Sequence, residues 1–447
     1  MEQKPLTPYQ ELKGGQQILY ALGHIGPGML SQFITTWLLL FMTGNADNPI
    51  LSGTLVGTAT LLGRIMDAIA DPIVANWSDN HRGKRYGRRI PFMMLGTLPM
   101  IISFLCIWLT PQISMGETAR FIWLVVFLNG FYFFYTMVVN TYFALLPEIA
   151  KNDKQRIFIQ SFVSLFGILG MGFSLGASGF LINALGYLGA GVAMSVFCAL
   201  VMVSPLLVVK VRKDYVPQPM PNQTDNVFKN IVGAFKNDKF TKYIIGFATF
   251  YIGFQMIQYN LAFVTTVSLG LEKGMSSTLF IVSVVCALAF IPLYNVFVRK
   301  FGTIRSLMIS MFSYALVALL IMALPQLHAI PTTVLGFVLM ALLGFPYSGL
   351  MVIPNVLVSE IIDDDCARFQ VRREAMFFGV QGLVNQIAAA FSSFFVGVLH
   401  DILGSSIGHS GGVTAVAPIA AAFALTGFFV MMRLNRKPKT PAPQEIG

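Results

Sequence analysis

The chain has 447 residues, of which 55% are hydrophobic and only 11% are charged. Soluble globular domains contain about 25% charged residues, so this composition excludes them and indicates an integral membrane protein. The net charge of +10 would suit a nucleic-acid partner, and the positions of the basic residues decide whether one is needed.

Apolar runs of about 20 residues, the length that crosses a hydrocarbon core of roughly 30 Å as a helix, recur along the whole chain. We predict twelve transmembrane helices, so the expected fold class is an all-α integral membrane protein. In chain order the predicted helices span residues 16–42, 51–77, 91–110, 120–146, 157–183, 187–209, 243–269, 277–298, 305–325, 331–359, 374–399 and 412–433.

The basic residues fall almost entirely on one side of this predicted topology. Of the 30 Lys and Arg, 27 lie in the two termini and in alternate connections between helices. Because basic connections stay in the cytoplasm, both termini are predicted to be cytoplasmic, in a plasma membrane such as the bacterial inner membrane. Topology therefore explains the net charge, and no nucleic-acid partner is expected.

One polar connection divides the predicted helices into six and six. Residues 210–242 are basic and interrupted by prolines, and similar basic turns follow the second helix (83–89) and the eighth (298–306). Weak internal repeats of this kind mark transporters whose two bundles move about a central site. We therefore predict an N-terminal bundle (1–209), a cytoplasmic loop and a C-terminal bundle (243–447). The alternative is that the basic turns only fix orientation.

The segment GRIMDAIADPIV (63–74) places two aspartates inside the second predicted helix. An aspartate at a helix centre costs about 2.5 to 3.5 kcal/mol, so such residues face a cavity or a partner. Asp67 and Asp71 share one helix face and repel each other unless a proton or cation relieves them. With Arg64 as a neighbour one turn earlier, they form a predicted cation site. The alternative is a buried Arg–Asp ion pair that only fixes packing.

Neutral polar and aromatic side chains are frequent in the other predicted helices. Amides combined with aromatic rings suit a polyhydroxylated, uncharged solute, which needs hydrogen-bond partners and an apolar surface. The fourth helix supplies most of the aromatics in FYFFYTMVVNTYF (131–143), and His24 and Gln32 lie in the first. The alternative is that these groups only bond helices to one another.

Acidic residues at the predicted cytoplasmic helix ends lie beside the basic loops, with Glu148 among them. We expect them to pair with those loops when the cytoplasmic side closes, and so to act as a gate. Exposed ion pairs are each worth about 0 to 1 kcal/mol, so such a gate needs several of them. The alternative is that they are ordinary loop charges.

The motifs of the second helix, together with YGRRIPF (86–92) and SEIIDDDCARFQVRREAMFFGVQG (359–382), resemble the glycoside–pentoside–hexuronide:cation symporters of the major facilitator superfamily. The similarity extends over essentially the whole chain and implies two six-helix bundles related by pseudo-twofold symmetry. It implies that Asp67 and Asp71 are the cation carboxylates and that Thr136 gives a hydroxyl to the same site. It also puts Arg372 and Glu374 at the VRxE positions of a cytoplasmic gate.

Several positions depart from the pattern of this family. Ala70 stands where the family commonly has Asn, which favours a proton over sodium as the coupling ion. The melibiose branch has acidic residues in helices one and four where this chain has Ile25 and Val139, and Ser161 and Gln386 replace two basic residues of that branch. A galactoside is therefore not expected. The remaining solute-binding candidates are His24, Gln32, Tyr135, Asn140, Phe143, Gln381 and Gln386.

The predicted function is symport of a cation, H⁺ with Na⁺ as the alternative, with a small and mostly neutral solute, a glycoside or pentoside. Transport would proceed by alternating access in a monomer. One alternative is a carrier of an amphipathic solute such as a lysolipid, because related animal proteins that share the paired aspartates transport lipids. Another is a receptor or scaffold with structural aspartates. The helices show no nucleophile–base pair or metal-ligand spacing, so we predict no enzyme activity and no cofactor.

Overall fold

The computed structural model describes residues 9–44, 49–81, 86–87, 89–110, 116–150, 152–211, 233–323, 331–369, 374–406 and 408–435. These ranges include the twelve predicted helices except for residues 324–325. The predicted loop 210–242 lies largely outside the described residues.

Twelve helices of membrane-spanning length are present in these ranges. They are α1 (Gly15–Thr43), α2 (Gly53–Asn80), α3 (Ile90–Trp108), α4 (Glu117–Ile149), α5 (153–185), α6 (187–208), α7 (Asp238–Phe263), α8 (Lys273–Phe301), α9 (Thr303–Ala323), α10 (Thr332–Phe369), α11 (Glu374–Leu403) and α12 (Gly411–Asn435). The prediction of twelve helices is confirmed.

The helix boundaries differ from the prediction where helices continue beyond the apolar run. Helix α10 ends at Phe369 rather than at residue 359, and α4 begins at Glu117 and ends at Ile149. Helices α5 and α6 run as one element that turns at Gly186, whose φ of 72° is accessible to glycine at little cost. Helix α7 continues as a π-helical turn over Val264–Ser268. The termini of α2, α5 and α7 are capped by Ser52, Asn152 and Asn237.

By length and apolarity, nine helices of the described residues qualify as membrane spans when α5 and α6 count as one. Helices α2 and α7 are not among them. Helix α2 is less apolar because it carries the arginine and the two aspartates of the predicted cation site. Charged residues inside a membrane span usually mark a functional site.

The helices pack as two bundles that meet along a few helix pairs. In the first bundle α3 and α2 pack on α4, and α1 packs on the α5–α6 element; in the second, α7 and α9 pack on α12, and α8 packs on α10. Between the bundles the main contacts are α2 with α11, α8 with the α5–α6 element, and α1 with α7. The site described below lies on the α2–α11 contact.

The two ends of the molecule differ in how the bundles meet. We call the end that carries Arg89 and Arg299 the basic end, and the other the opposite end. At the opposite end Gly53 approaches Gly397, and the Gly179 amide donates to the Ser277 hydroxyl at 2.7 Å across the interface. At the basic end, three ion pairs of the described residues, Arg89–Glu148, Lys239–Asp364 and Lys242–Asp238, each lie within a single bundle. The described part is therefore closed at the opposite end.

Candidate cation and solute site

Asp67 lies at the centre of a contact among three helices. Its side chain is almost fully buried, and its Oδ1 accepts a hydrogen bond from the Thr136 hydroxyl of α4. Its Oδ2 accepts from the Gln386 amide of α11 at 2.5 Å. Both carboxylate oxygens are thus bonded, one within the first bundle and the other across the bundle interface. This is how a charge in a span is compensated.

Asp71 lies one turn further along α2 in a different environment. It is exposed, and its Oδ1 accepts from the Asn140 amide of α4 at 2.9 Å. Thr136 and Asn140 are also four residues apart, so two helix turns of α4 face the two aspartates of α2 in register. The structure therefore brings the predicted pair onto one face, with one member buried and the other accessible.

Arg64 supplies the positive charge of this cluster. Its Nη1 lies 4.0 Å from Asp67 Oδ2 and donates to Gln386 Oε1 at 3.1 Å, and its guanidinium lies 4.7 Å above the Tyr132 ring. Gln386 thus bridges Arg64 and Asp67 from the other bundle. Sequence reasoning did not single out Tyr132, although its position one turn before Thr136 on α4 could have indicated it.

The predicted solute-binding residues are only partly brought together. His24 packs against Phe143 and Tyr142, with ring centroids 5.0 and 5.6 Å apart. Gln32 donates to Thr36 on its own helix at 3.0 Å. Asn140 and Gln386 bind the two aspartates, as described above, and Tyr135 lies one residue before Thr136 on α4.

Gln381 of α11 has a buried Oε1 without a hydrogen-bond partner. A buried carbonyl of this kind is uncommon and can serve an incoming hydroxyl. A solute role for these residues stays a prediction.

The predicted gate residues lie at the basic end. Glu148 is buried and pairs with Arg89 Nε at 2.7 Å, within the first bundle. The Tyr9 hydroxyl accepts from the Arg89 amide at 3.0 Å, and burial raises the pKa of Tyr9. In the second bundle Lys239 and Asp364 pair at 2.5 Å. Arg372 and the side chain of Glu374 lie outside the described residues, so the gate stays a prediction.

Comparison with known proteins shows the family of the chain. The family model described as MFS/sugar transport protein matches residues 19–435. An uncharacterized symporter of Synechocystis is 34% identical over 163 residues, which cover 36% of this chain and 29% of that protein. The sodium-dependent lysophosphatidylcholine symporter 1-B of Danio rerio is 21% identical over 391 residues, covering 77% of this chain and 71% of that protein.

The fold is also that of solved transporters. The crystal structure of the nucleoside transporter NupG aligns with a TM-score of 0.70 at 14% identity, covering 95% of this chain and all of that one. An identity this low shows the fold alone. Since the family model spans nearly the whole sequence, the chain belongs to the MFS/sugar transport family.

Proposed function

We propose that the protein couples the inward movement of protons to uptake of a small, mostly neutral solute, a glycoside or pentoside, and that Asp67 is the coupling carboxylate. The observation that carries this proposal is the bond from Gln386 to Asp67 across the bundle interface. A cation on Asp67 Oδ2 competes with the Gln386 amide for that oxygen. Cation binding therefore changes the contact between the bundles, which links occupancy to conformation.

A proton suits this site better than sodium. Sodium, like other hard cations, takes several oxygen ligands, whereas a proton needs one. The Arg64 guanidinium lies 4.0 Å from Asp67 and would repel a sodium ion bound to that carboxylate. Ala70 stands where the related symporters commonly have Asn. These points favour neutralisation of Asp67 by a proton.

The state described here fits the inward-facing form of an alternating-access cycle. The contacts at the opposite end support a closed outer side if the basic end is cytoplasmic, as the charge distribution indicates. The exposed Asp71 then gives the coupling ion a route between the cytoplasm and Asp67. Asp71 acts in this proposal as the accessible partner of the pair.

Uptake into proteoliposomes tests the proposal. Purified protein would be given a pool of labelled neutral sugars under an inward proton gradient, an inward sodium gradient or neither. We expect the proton gradient alone to drive accumulation of one or a few sugars. Accumulation driven only by sodium would refute the proton assignment, and no gradient-driven accumulation of any sugar would refute the solute class.

Asp71→Asn separates the roles of the two aspartates. The change keeps the side-chain shape and an acceptor for Asn140 but removes the accessible charge. We expect the cation concentration for half-maximal uptake to rise about tenfold, the effect of one lost charged contact, while accumulation persists at saturating cation. Initial uptake rates measured against cation concentration check this. An unchanged half-maximal concentration would contradict it.

One observation favours a second candidate, an amphipathic solute. An open apolar groove of about 400 Å³ lies between the bundles. It is lined by residues of α1, α5, α6 and α8, among them the exposed Leu169, Phe173, Ile281 and Val285. Its size and its apolar lining suit an acyl chain. Competition of labelled sugar uptake by lysophosphatidylcholine, compared with an unlabelled neutral sugar, distinguishes the two candidates.

A further inference from the structure

The first turn of α2 is capped by a carboxylate from the other bundle. The Gly53 amide donates to Asp401 Oδ1 at 2.6 Å, and the Thr54 amide donates to Asp401 Oδ2 at 2.7 Å. Asp401 lies in the last turn of α11. A helix begins with four backbone amides that have no partner inside the helix, and side chains near its own start usually bind them. Here two are bound by a residue nearly 350 positions later.

Asp401 binds two first-turn amides of α2 that Ser52 does not bind. Ser52, the residue before the helix, accepts from the Leu55 amide through its hydroxyl at 3.4 Å, and its carbonyl accepts from the Val56 amide at 3.1 Å. The Val56 bond is the first bond inside the helix, so of the three amides that precede it in α2, Leu55 is bound by Ser52, and Gly53 and Thr54 are bound by Asp401. Its charge also complements the positive end of the helix dipole, and hydrogen bonds to a carboxylate are stronger than neutral ones.

Two glycine contacts allow Asp401 to reach the helix end. A Cβ at Gly397, one turn before Asp401, would collide with the Gly53 carbonyl, and a Cβ at Gly57 would lie 2.6 Å from the Phe394 Cα. The absence of side chains at these positions lets α2 and α11 approach at backbone distance. Any larger residue at Gly397 would therefore push Asp401 away from the amides.

Contacts of the neighbouring His400 within the second bundle also fix the position of Asp401. The adjacent His400 is buried, and its Nε2 lies 2.9 Å from the Asn260 Oδ1 of α7. The Asn260 amide in turn donates to the Val413 carbonyl of α12 at 2.8 Å. The end of α11 is thus bound to two helices of its own bundle, so its carboxylate is held toward the other bundle.

We infer that the Asp401 carboxylate, bound to the Gly53 and Thr54 amides, is a latch that holds the bundles together at the opposite end and breaks when that end opens. The inference rests on the alternating access of the proposed function. When α2 and α11 separate there, water replaces the carboxylate at the two amides. The strength of the latch therefore contributes to the balance between the two states of the carrier.

The latch and the coupling carboxylate lie on the same helix pair. Gln386 precedes Asp401 by 15 residues on α11, and Asp67 follows Gly53 by 14 on α2, so about four turns separate the two contacts. Release of Gln386 from Asp67 by a cation leaves the latch as a polar contact holding this pair together. A weaker latch then lets the opposite end open more readily.

The test measures the distance between the bundles at the opposite end. Cys106, Cys198, Cys286 and Cys366 would first be replaced. Spin labels would then be attached through cysteines at Thr118, at the start of α4, and Thr332, at the start of α10, both exposed at that end. Pulsed electron resonance on the full chain in nanodiscs reports the populations of short and long distances. It needs neither the solute nor a gradient, so failure of the proposed substrate does not affect it.

Asp401→Ala is expected to raise the ratio of long to short distances roughly tenfold, the effect of losing a hydrogen bond to a charged group. Asp401→Asn, which keeps one acceptor oxygen, should give an intermediate ratio. Glu272→Ala is the matched control, because Glu272 is an acidic residue at a helix start at the same end whose side chain makes no capping bond. Equal distributions in Asp401→Ala and the unsubstituted protein would overturn the inference.

Two glycine-to-alanine substitutions test the same latch without changing the charge of Asp401. Gly397→Ala should shift the distances in the same direction as Asp401→Ala, because the added methyl group collides with α2. Gly382→Ala, on the same helix with nothing within 4 Å of the added carbon, should not shift them. These variants stand in if the Asp401 variants fail to fold. A Gly397→Ala protein with the unshifted distribution would also refute the latch.

Discussion

Asp67→Asn is expected to abolish cation-driven accumulation of the solute while leaving the protein folded. Asparagine has nearly the shape of aspartate and keeps an oxygen that can accept from Thr136. What it loses is the charge that captures the coupling ion. A membrane potential of about 100 mV supplies about 2.3 kcal/mol per charge, enough for roughly 50-fold accumulation by a coupled carrier. The variant should reach a ratio of about 1.

The measurement is the steady ratio of internal to external solute in vesicles with an imposed proton gradient and potential. Exchange of labelled for unlabelled solute, which needs no gradient, should persist in Asp67→Asn and so show that the variant still binds and reorients. Asp238→Asn is the control, because it removes the same charge from an exposed pair with Lys242 at the basic end. Accumulation at the unsubstituted level in Asp67→Asn would remove the coupling role of this carboxylate.

The helices could be predicted because membrane spans require runs of apolar residues that a sequence displays directly. The end of α10 could not be predicted in this way. The apolar run stops near residue 359, but the helix continues through charged residues to Phe369. The turn at Gly186 was placed correctly between the fifth and sixth helices, although one continuous element contains both. Helix ends thus depend on contacts that an apolar run does not reveal.

From residue spacing alone the site was predictable only within single helices, and the place of Thr136 of α4 beside Asp67 came from the family resemblance. The spacing of Asp67 and Asp71 gives a shared face, but their difference in burial follows from α11, whose Gln386 is 319 residues away from Asp67. The cap of α2 by Asp401 depends on the same helix pair. Contacts between bundles are set by how two surfaces meet, and one sequence carries no direct signal of that register.

Removal of Arg64 is expected to cost more stability than removal of any exposed basic residue. Arg64 and Asp67 have side chains only 11% and 4% exposed. Breaking a buried ion pair by deleting one partner leaves an uncompensated charge, which costs about 3 to 5 kcal/mol. Arg64→Met, which keeps an unbranched apolar stem but removes the guanidinium, should therefore lower the free energy of unfolding by about that amount. Denaturant unfolding in detergent measures it.

A double variant shows whether the lost stability comes from the uncompensated charge of Asp67. Asp67→Asn in the Arg64→Met background removes that charge, so the double variant should regain about 2 kcal/mol relative to Arg64→Met alone. Lys239→Met is the control: its pair with Asp364 is shorter, at 2.5 Å, but both side chains are 52% exposed. Solvent screens such a pair, and its loss should cost less than about 1 kcal/mol. If the two single variants lose equal stability, burial of the Arg64–Asp67 pair does not determine its contribution.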